Sequence, residues 1–228
     1  MTIIVEDSEI VVPGDLLADG NYKFGEGIVK RGNNFYSSLV GVFIIRNEFL
    51  QVRPLKGRYF PNVGDTVIGF IEDTNLTSWI VNIRGPYSGI LLASNASRRR
   101  FDPIRHDARK IFDVGDVIKA EIISFDRTRD PQLATKYPRL GKLEGGRILE
   151  TNPHHIPRII GKQGSMISMI KQLTNSNIMV AKNGRIWIKA NNIHDEERVV
   201  EAINQISREA HVSGLTDRIS ELLNTNKN

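Results

Sequence analysis

The residues best suited to chemistry are Ile159-Ile160-Gly161-Lys162-Gln163-Gly164-Ser165-Met166-Ile167. A helical segment ends at Ile160 and another begins at Ser165, with Met166, Met169, Ile170 and Leu173 on one face at helical spacing. The four residues between them form a tight loop, and its two glycines permit positive φ and a close backbone approach. The helix starting at Ser165 presents unpaired N–H groups and the positive end of its dipole, a suitable seat for phosphate. Lys162 adds a cation that can neutralise one. The chemistry on offer is the grip of a phosphodiester backbone, not the making or breaking of bonds. A plain helix–turn–helix corner without a ligand is the competing reading.

Two other groups are candidates for the same chemistry. Arg98, Arg99 and Arg100, with Arg105, Arg109 and Lys110 nearby, form a basic run partly offset by Asp102 and Asp107. Such a run is either a polyanion contact or a solvated loop. Trp79 and Trp187 each sit in a strand-like run, where an aromatic is core or a platform for a base. Trp187 reads as core; Trp79 stays open and is retained as an RNA-binding candidate. Catalytic chemistry is poorly supplied. There is no cysteine, hence no thiolate nucleophile, thiolate metal site or disulfide. The five histidines, His106, His154, His155, His194 and His211, lack metal-ligand spacing. The acids stand singly at turns (Asp15, Asp65, Asp116) or as a helix-start cluster at Asp195–Glu197. No metal or cofactor is implied.

The elements that must position these residues fall into three segments. Residues 1–60 hold only short strand-like runs separated by Pro-Gly and Gly-rich turns, with Phe35 to Ile45 reading as one strand, and predict a small β-domain. Residues 61–137 open with Pro61-Asn62-Val63-Gly64-Asp65, a signal that returns as Phe112-Asp113-Val114-Gly115-Asp116. Each precedes an alternating apolar run. Five strands in this span predict an OB-type barrel, with the arginine run between its third and fourth strands. Residues 137–146 read as a linker or strand lead-in. Within 138–228 the period changes: strand at Arg147–Glu150, Asn152-Pro153 as cap and first residue of a helix over 154–160, the loop, and the second helix. A hairpin turning at Asn183-Gly184 and an amphipathic helix over 195–210 follow, with a last short helix over 215–223. This β-α-loop-α-β-β-α order is that of a type I KH module, which clamps about four nucleotides of single strand at its GxxG loop. The whole is a multidomain chain: N-terminal β-domain, five-stranded OB/S1 barrel, C-terminal α/β KH domain.

Composition agrees with a folded chain that meets a polyanion. The 228 residues are 40% apolar and 25% charged, which excludes a disordered or fibrous chain. The formal charge is +5, of which +4 falls in residues 139–228, where a polyanion would be sought first. No apolar run approaches membrane-spanning length and the N-terminus lacks a secretory pattern, so a cytoplasmic protein is expected.

These motifs carry a resemblance. VVPGD (11–15), GEG (25–27), PNVGD (61–65), PRLGKLEGGRI (138–148), PRIIGKQGSMI (157–167) and NGRIW (183–187) resemble the exosome cap subunits of the ribosomal-RNA-processing-protein-4 type, the archaeal form above all. The resemblance covers nearly the whole chain. It implies a non-catalytic subunit, three copies of which sit on a hexameric ring of RNase PH-like subunits. It implies that the cap binds single-stranded RNA, favours A-rich 3′ ends and guides them to the ring's phosphorolytic site. The N-terminal domain would dock on the ring. Many S1-type barrels bind RNA through aromatics on strands two and three and a His. The matching positions here are Leu76, Trp79 and Leu92, which favours charge steering by the arginine loop over base stacking. On that basis the RNA-binding residues are Gly161, Lys162, Gln163, Gly164, Ser165, Arg98, Arg99, Arg100, Arg105 and Trp79. The elongation factor NusA also runs S1 then KH, but carries two KH units where one fits here.

Overall fold

Three Gly-Asp turns set the strands that follow them. In each, the Asp N–H closes the turn on the residue three back: Asp15 on Val12 (3.1 Å), Asp65 on Asn62 (3.1 Å) and Asp116 on Asp113 (3.0 Å). The carboxylates add a second lock. Asp15 accepts from the Val12 N–H (2.7 Å), Asp116 from the Asp113 N–H (2.9 Å) and Asp65 from the Tyr59 hydroxyl (2.7 Å). A computed structural model of the chain describes residues 2–55, 57–97, 101–102, 107–126, 128–209 and 214–225. They divide into two units, Met1–Gly57 and Arg58–Asn228.

The first unit is all β. Its strands are β1 (Thr2–Ile3), β2 (Ile10–Val11), β3 (Leu16–Asp19), β4 (Lys23–Phe24), β5 (Ile28–Arg31), β6 (Asn34–Ser37), β7 (Gly41–Arg46) and β8 (Phe49–Pro54). They form two sheets, ordered β1-β3-β6-β5 and β2-β7-β8-β4. The expected single strand from Phe35 to Ile45 is two strands in two sheets. The chain turns the corner at Ser37–Leu39, where the Ser37 hydroxyl donates to the Leu39 carbonyl (2.7 Å). Phe35 and Phe43, one on each side of the corner, are both fully buried and meet Leu17, Leu50 and Val52 in one core. Each such side chain contributes about 2 kcal/mol by leaving water.

The second unit joins a barrel to an α/β module. The barrel strands are β9 (Thr66–Thr74), β10 (Ser78–Asn82), β11 (Gly89–Leu92), β12 (Val117–Asp126) and β13 (Arg129–Ala134), with the short α1 (Ala93–Ala96) after β11. They close in the order β9-β10-β11-β13-β12 and back to β9. Only β11 and β13 pair in parallel, which is OB topology. Val67, Ile71, Trp79, Val81, Leu91, Ile118, Ile122 and Leu133 fill the interior. The 137–146 stretch supplies β14 (Gly141–Lys142), which adds to β12.

The module after it runs β15 (Arg147–Glu150), α2 (Ile156–Ile160), α3 (Ser165–Thr174), β16 (Asn177–Val180), β17 (Arg185–Lys189), α4 (Ile193–Arg208) and α5 (Leu215–Thr225). The sheet is antiparallel, ordered β15-β17-β16. Asn152 accepts from the His154 N–H (3.1 Å), so Pro153–His155 form a 3₁₀ turn and the α-helix proper starts later than expected, at Ile156. Asn192 caps α4 by accepting from the Asp195 N–H (2.7 Å). Ile159, Ile170, Ile186, Ile188, Val199, Ile203, Ile219 and Leu223 form the core. Arg198 donates to the Leu223 carbonyl and pairs with Asp195 (3.0 Å), which fastens α5 to α4. Among the described residues no helix is long and apolar enough to cross a membrane.

Candidate nucleic-acid interface

The loop between α2 and α3 has the backbone its sequence calls for. Gly161 lies at φ 77°, Gln163 at φ 51° and Gly164 at φ 81°. A Cβ on Gly161 would stand 2.8 Å from both the Cβ and the N of Met166, so no other residue fits without moving α3. Ile159 and Met166, on either side, are buried and hold both helix ends in the core. The loop itself faces solvent, with Lys162, Gln163 and Ser165 exposed. Gly164 is the N-cap of α3 and offers no side chain to its first turn, and α3 carries no acidic residue. The Ser165 N–H closes on the Lys162 carbonyl, so what α3 offers beside Lys162 is the positive end of a ten-residue helix dipole, with no acidic side chain of the helix to compete for an anion.

The second glycine turn of the module faces the opposite way. The β16–β17 hairpin turns at Asn183-Gly184 as expected, but its tip is buried against the barrel. Asn183 is fully buried, donates to the Ile68 and Ile83 carbonyls (2.7 and 2.9 Å) and accepts from the Ile68 N–H (3.3 Å). Arg185 lies over the Phe70 ring (4.5 Å). It donates to the Asn82 carbonyl (2.6 Å) and amide oxygen (2.8 Å), and pairs with Glu150 (2.9 Å). Burial lowers the pKa of Arg185, and Glu150 works against that shift. From the barrel side, Arg84 reaches back to the Thr151 carbonyl (2.5 Å) and to Glu150 (3.2 Å). Trp187, Ala181 and Ile68 pack beneath, with Val117, Ile148 and Met179, and the Trp187 indole donates to the Gly145 carbonyl (2.7 Å). This seam explains why Val67 and Ile68, neighbours on β9, are both fully buried: one faces the barrel interior and the other the module. It also occupies the hairpin side, including Met179.

On the barrel the sequence candidates separate. Trp79 is corrected to a core residue. It has no exposed surface, its indole donates to the Phe112 carbonyl (2.8 Å), and its ring lies edge-on to Phe112. A base cannot reach it while the barrel is folded. Leu76 is exposed at the β9–β10 turn and Leu92 is half-buried. Arg98, Arg99, Arg100 and Arg105 lie outside the described residues; of the same basic stretch, Arg109 and Lys110 are exposed. Three partly exposed aromatics instead meet on the barrel surface, Phe60, Tyr87 and Phe125. Their rings lie edge to face with centroids 5.1–5.9 Å apart. Sequence reasoning missed them because they come from three separate segments. Among the described residues no three His, Asp or Glu side chains converge as a metal site would require.

Comparison with known proteins places this geometry. Residues 8–56 match the family described as exosome RNA binding protein RRP4 N-terminal domain, and residues 58–124 the family RRP4, S1 domain. Exosome complex component Rrp4 of Thermococcus kodakarensis is 44% identical over 223 residues, covering 97% of this chain and 87% of that one. The Rrp4 of Saccharolobus solfataricus is 39% identical over 224 residues, covering 97% and 90%. A crystal structure assigned as an exosome complex RNA-binding protein superimposes with a TM-score of 0.70 at 37% identity, covering 75% of this chain and 98% of that one.

Proposed function

The chain belongs to the Rrp4 family of exosome components, and from that premise we propose that it is a non-catalytic cap subunit that captures single-stranded RNA for a separate nuclease. The observation that carries this is the GKQG loop. It is exposed, glycine-shaped and set before an acid-free helix start, on a module locked to an OB barrel. Those are the features of a backbone grip, and they contribute nothing to bond cleavage. In this reading residues 1–60 dock on a hexameric RNase PH-like ring, residues 61–137 line the entrance and residues 138–228 hold the strand. Three copies complete the cap, and A-rich 3′ ends are preferred. The GKQG loop (Gly161–Gly164), Ser165 and the arginine run at 98–100 and 105 contact phosphate, and the Phe60–Tyr87–Phe125 surface contacts bases in place of Trp79.

The test is an incubation of the purified chain with labelled single-stranded RNA, Mg²⁺ and phosphate, with and without the ring subunits. Binding without turnover alone, and faster degradation when added to the ring, is expected. Turnover by the chain alone that survives rigorous purification overturns the adaptor reading.

A further inference from the structure

A cationic patch lies where the barrel meets the module. On β12 the side chains alternate: Ile118 and Ala120 point into the barrel, while Val117 and Lys119 point out. Val117 packs into the seam with Trp187 and Met179, and Lys119 is the next residue on that face. In register, Lys119 stands opposite Ile68, itself a seam residue, on one side and Gly141 on the other. Arg139, two residues before Gly141, is held in an exposed turn at φ 66°. Lys171 projects from α3, half-buried. Lys119 lies within electrostatic reach of both Arg139 and Lys171. Burial, then Arg139, then Lys171 hold the Lys119 ammonium below its usual pKa. Among the described residues no carboxylate pairs with any of them, whereas Arg185, Arg84, Lys142 and Arg198 all have acidic partners.

Gathering three like charges at a fixed joint costs the free chain stability unless an anion completes the site. We propose that Lys119, Arg139 and Lys171 form a second phosphate site, which receives the backbone of single-stranded RNA as it leaves the GKQG loop. This rests on the RNA-binding reading above and extends it from the loop to the seam. RNA is favoured over an acidic protein by continuity. Lys171 lies on the same helix whose first turn follows the loop, nine residues from Lys162, or about 13 Å at ~1.5 Å per residue. A single strand spans that distance in a few nucleotides, with no acidic residue of α3 in its way. The seam keeps the barrel's contribution, Lys119, fixed relative to the module's, Lys171.

The experiment compares the full chain with its Lys119→Gln/Arg139→Gln/Lys171→Gln variant, using a ten-nucleotide and a four-nucleotide single-stranded RNA over a range of salt. For the longer RNA, the slope of log affinity against log salt falls in magnitude by about 2, at ~0.7 per phosphate contact on single strands. For the shorter RNA, which the loop alone accommodates, it changes little. The melting temperature stays the same or rises, because repulsion has been removed, so weaker binding is not a folding artefact. The charge-preserving Lys119→Arg/Lys171→Arg variant keeps the wild-type slope. A wild-type slope in the Gln variant overturns the seam site and leaves the RNA-binding reading standing. A Gln variant that keeps its slope but loses association with ring subunits makes the patch a protein surface, and also overturns it. If the unmodified chain binds neither RNA, both readings fall.

Discussion

Two glycine turns of the module after the barrel, each with a cation, do opposite things. At Gly161–Gly164 the loop is exposed, its cation Lys162 lies in solvent, and the helix after it is left uncapped by any side chain. At Asn183–Arg185 the turn is buried and its side chains spend their hydrogen bonds on the barrel backbone. Gly184 lies at φ 80°, and a Cβ there would stand 2.4 Å from the Thr151 carbonyl oxygen, so this glycine serves close packing. A Gly-plus-cation turn is therefore ambiguous until its polar groups are accounted for. Buried groups satisfied within the protein mean architecture; groups left to solvent at the surface are free to meet a ligand.

The sharpest way to break that contrast is at the buried turn. Asn183→Ala removes the side-chain partner of the Ile68 N–H and of the Ile83 carbonyl, and one of the two side-chain donors to the Ile68 carbonyl, all in the seam. Arg185→Met removes one of the two cations on Glu150, which keeps Arg84, and takes the guanidinium donor from the Asn82 carbonyl and amide oxygen. Each is expected to cost roughly 3 kcal/mol, a fall of about 10 °C in melting temperature. Affinity for a four-nucleotide RNA at 25 °C should hold, since the GKQG loop is untouched. Unchanged melting in both variants would mean that the seam is not structural.

The exposed loop should give the reverse pattern. Lys162→Asp/Gln163→Asp places two negative charges where the α3 dipole and Lys162 favour phosphate. RNA affinity is expected to drop roughly 10- to 100-fold, read by fluorescence anisotropy at fixed salt, with melting within a degree or two of wild type. Equal affinity would return the loop to a plain helix corner.

A smaller effect tests the same principle on the barrel, where Trp79 is buried and Tyr87 is partly exposed within its ring cluster. Trp79→Phe loses the bond to the Phe112 carbonyl and lowers stability without changing RNA affinity. Tyr87→Ala is expected to weaken RNA binding about 5-fold, the low end of base–aromatic stacking. Reversal of the two outcomes would restore Trp79 as the contact.

What the residues disclosed in advance was local. The loop at 161–164, the hairpin at Asn183-Gly184 and the repeated Gly-Asp turns are all set by neighbours in sequence, and periodicity found the strands between them. What it could not disclose was long-range. Asn183 meets Ile68 across 115 residues and Arg185 meets Asn82 across 103, and nothing in NGRIW distinguishes a solvent turn from a buried latch. Phe60, Tyr87 and Phe125 become a surface only once the barrel closes. The Phe35–Ile45 run hid a corner because Ser38 and Leu39 do not break an extended pattern; only the two-sheet core explains why the chain turns there.

Between the two extremes stands the Asp116–Lys142 pair, partly exposed at 2.7 Å, which ties the turn before β12 to β14 and so to the strand edge beside the seam. Burial alone would raise the Asp116 pKa, but Lys142 and the Asp113 N–H outweigh it and hold the carboxyl below its usual value. A carboxyl depressed in the fold adds stability above its unfolded pKa and loses it as pH falls through the folded value. Asp116→Asn should therefore melt about 2 °C below wild type at pH 7, with the gap closing as pH drops below about 4. High salt should shrink the same gap, because the Lys142 side chain stands nearly half exposed to solvent. A gap that persists unchanged at pH 2 would mean that the contribution of Asp116 is hydrogen bonding within its turn and owes nothing to charge.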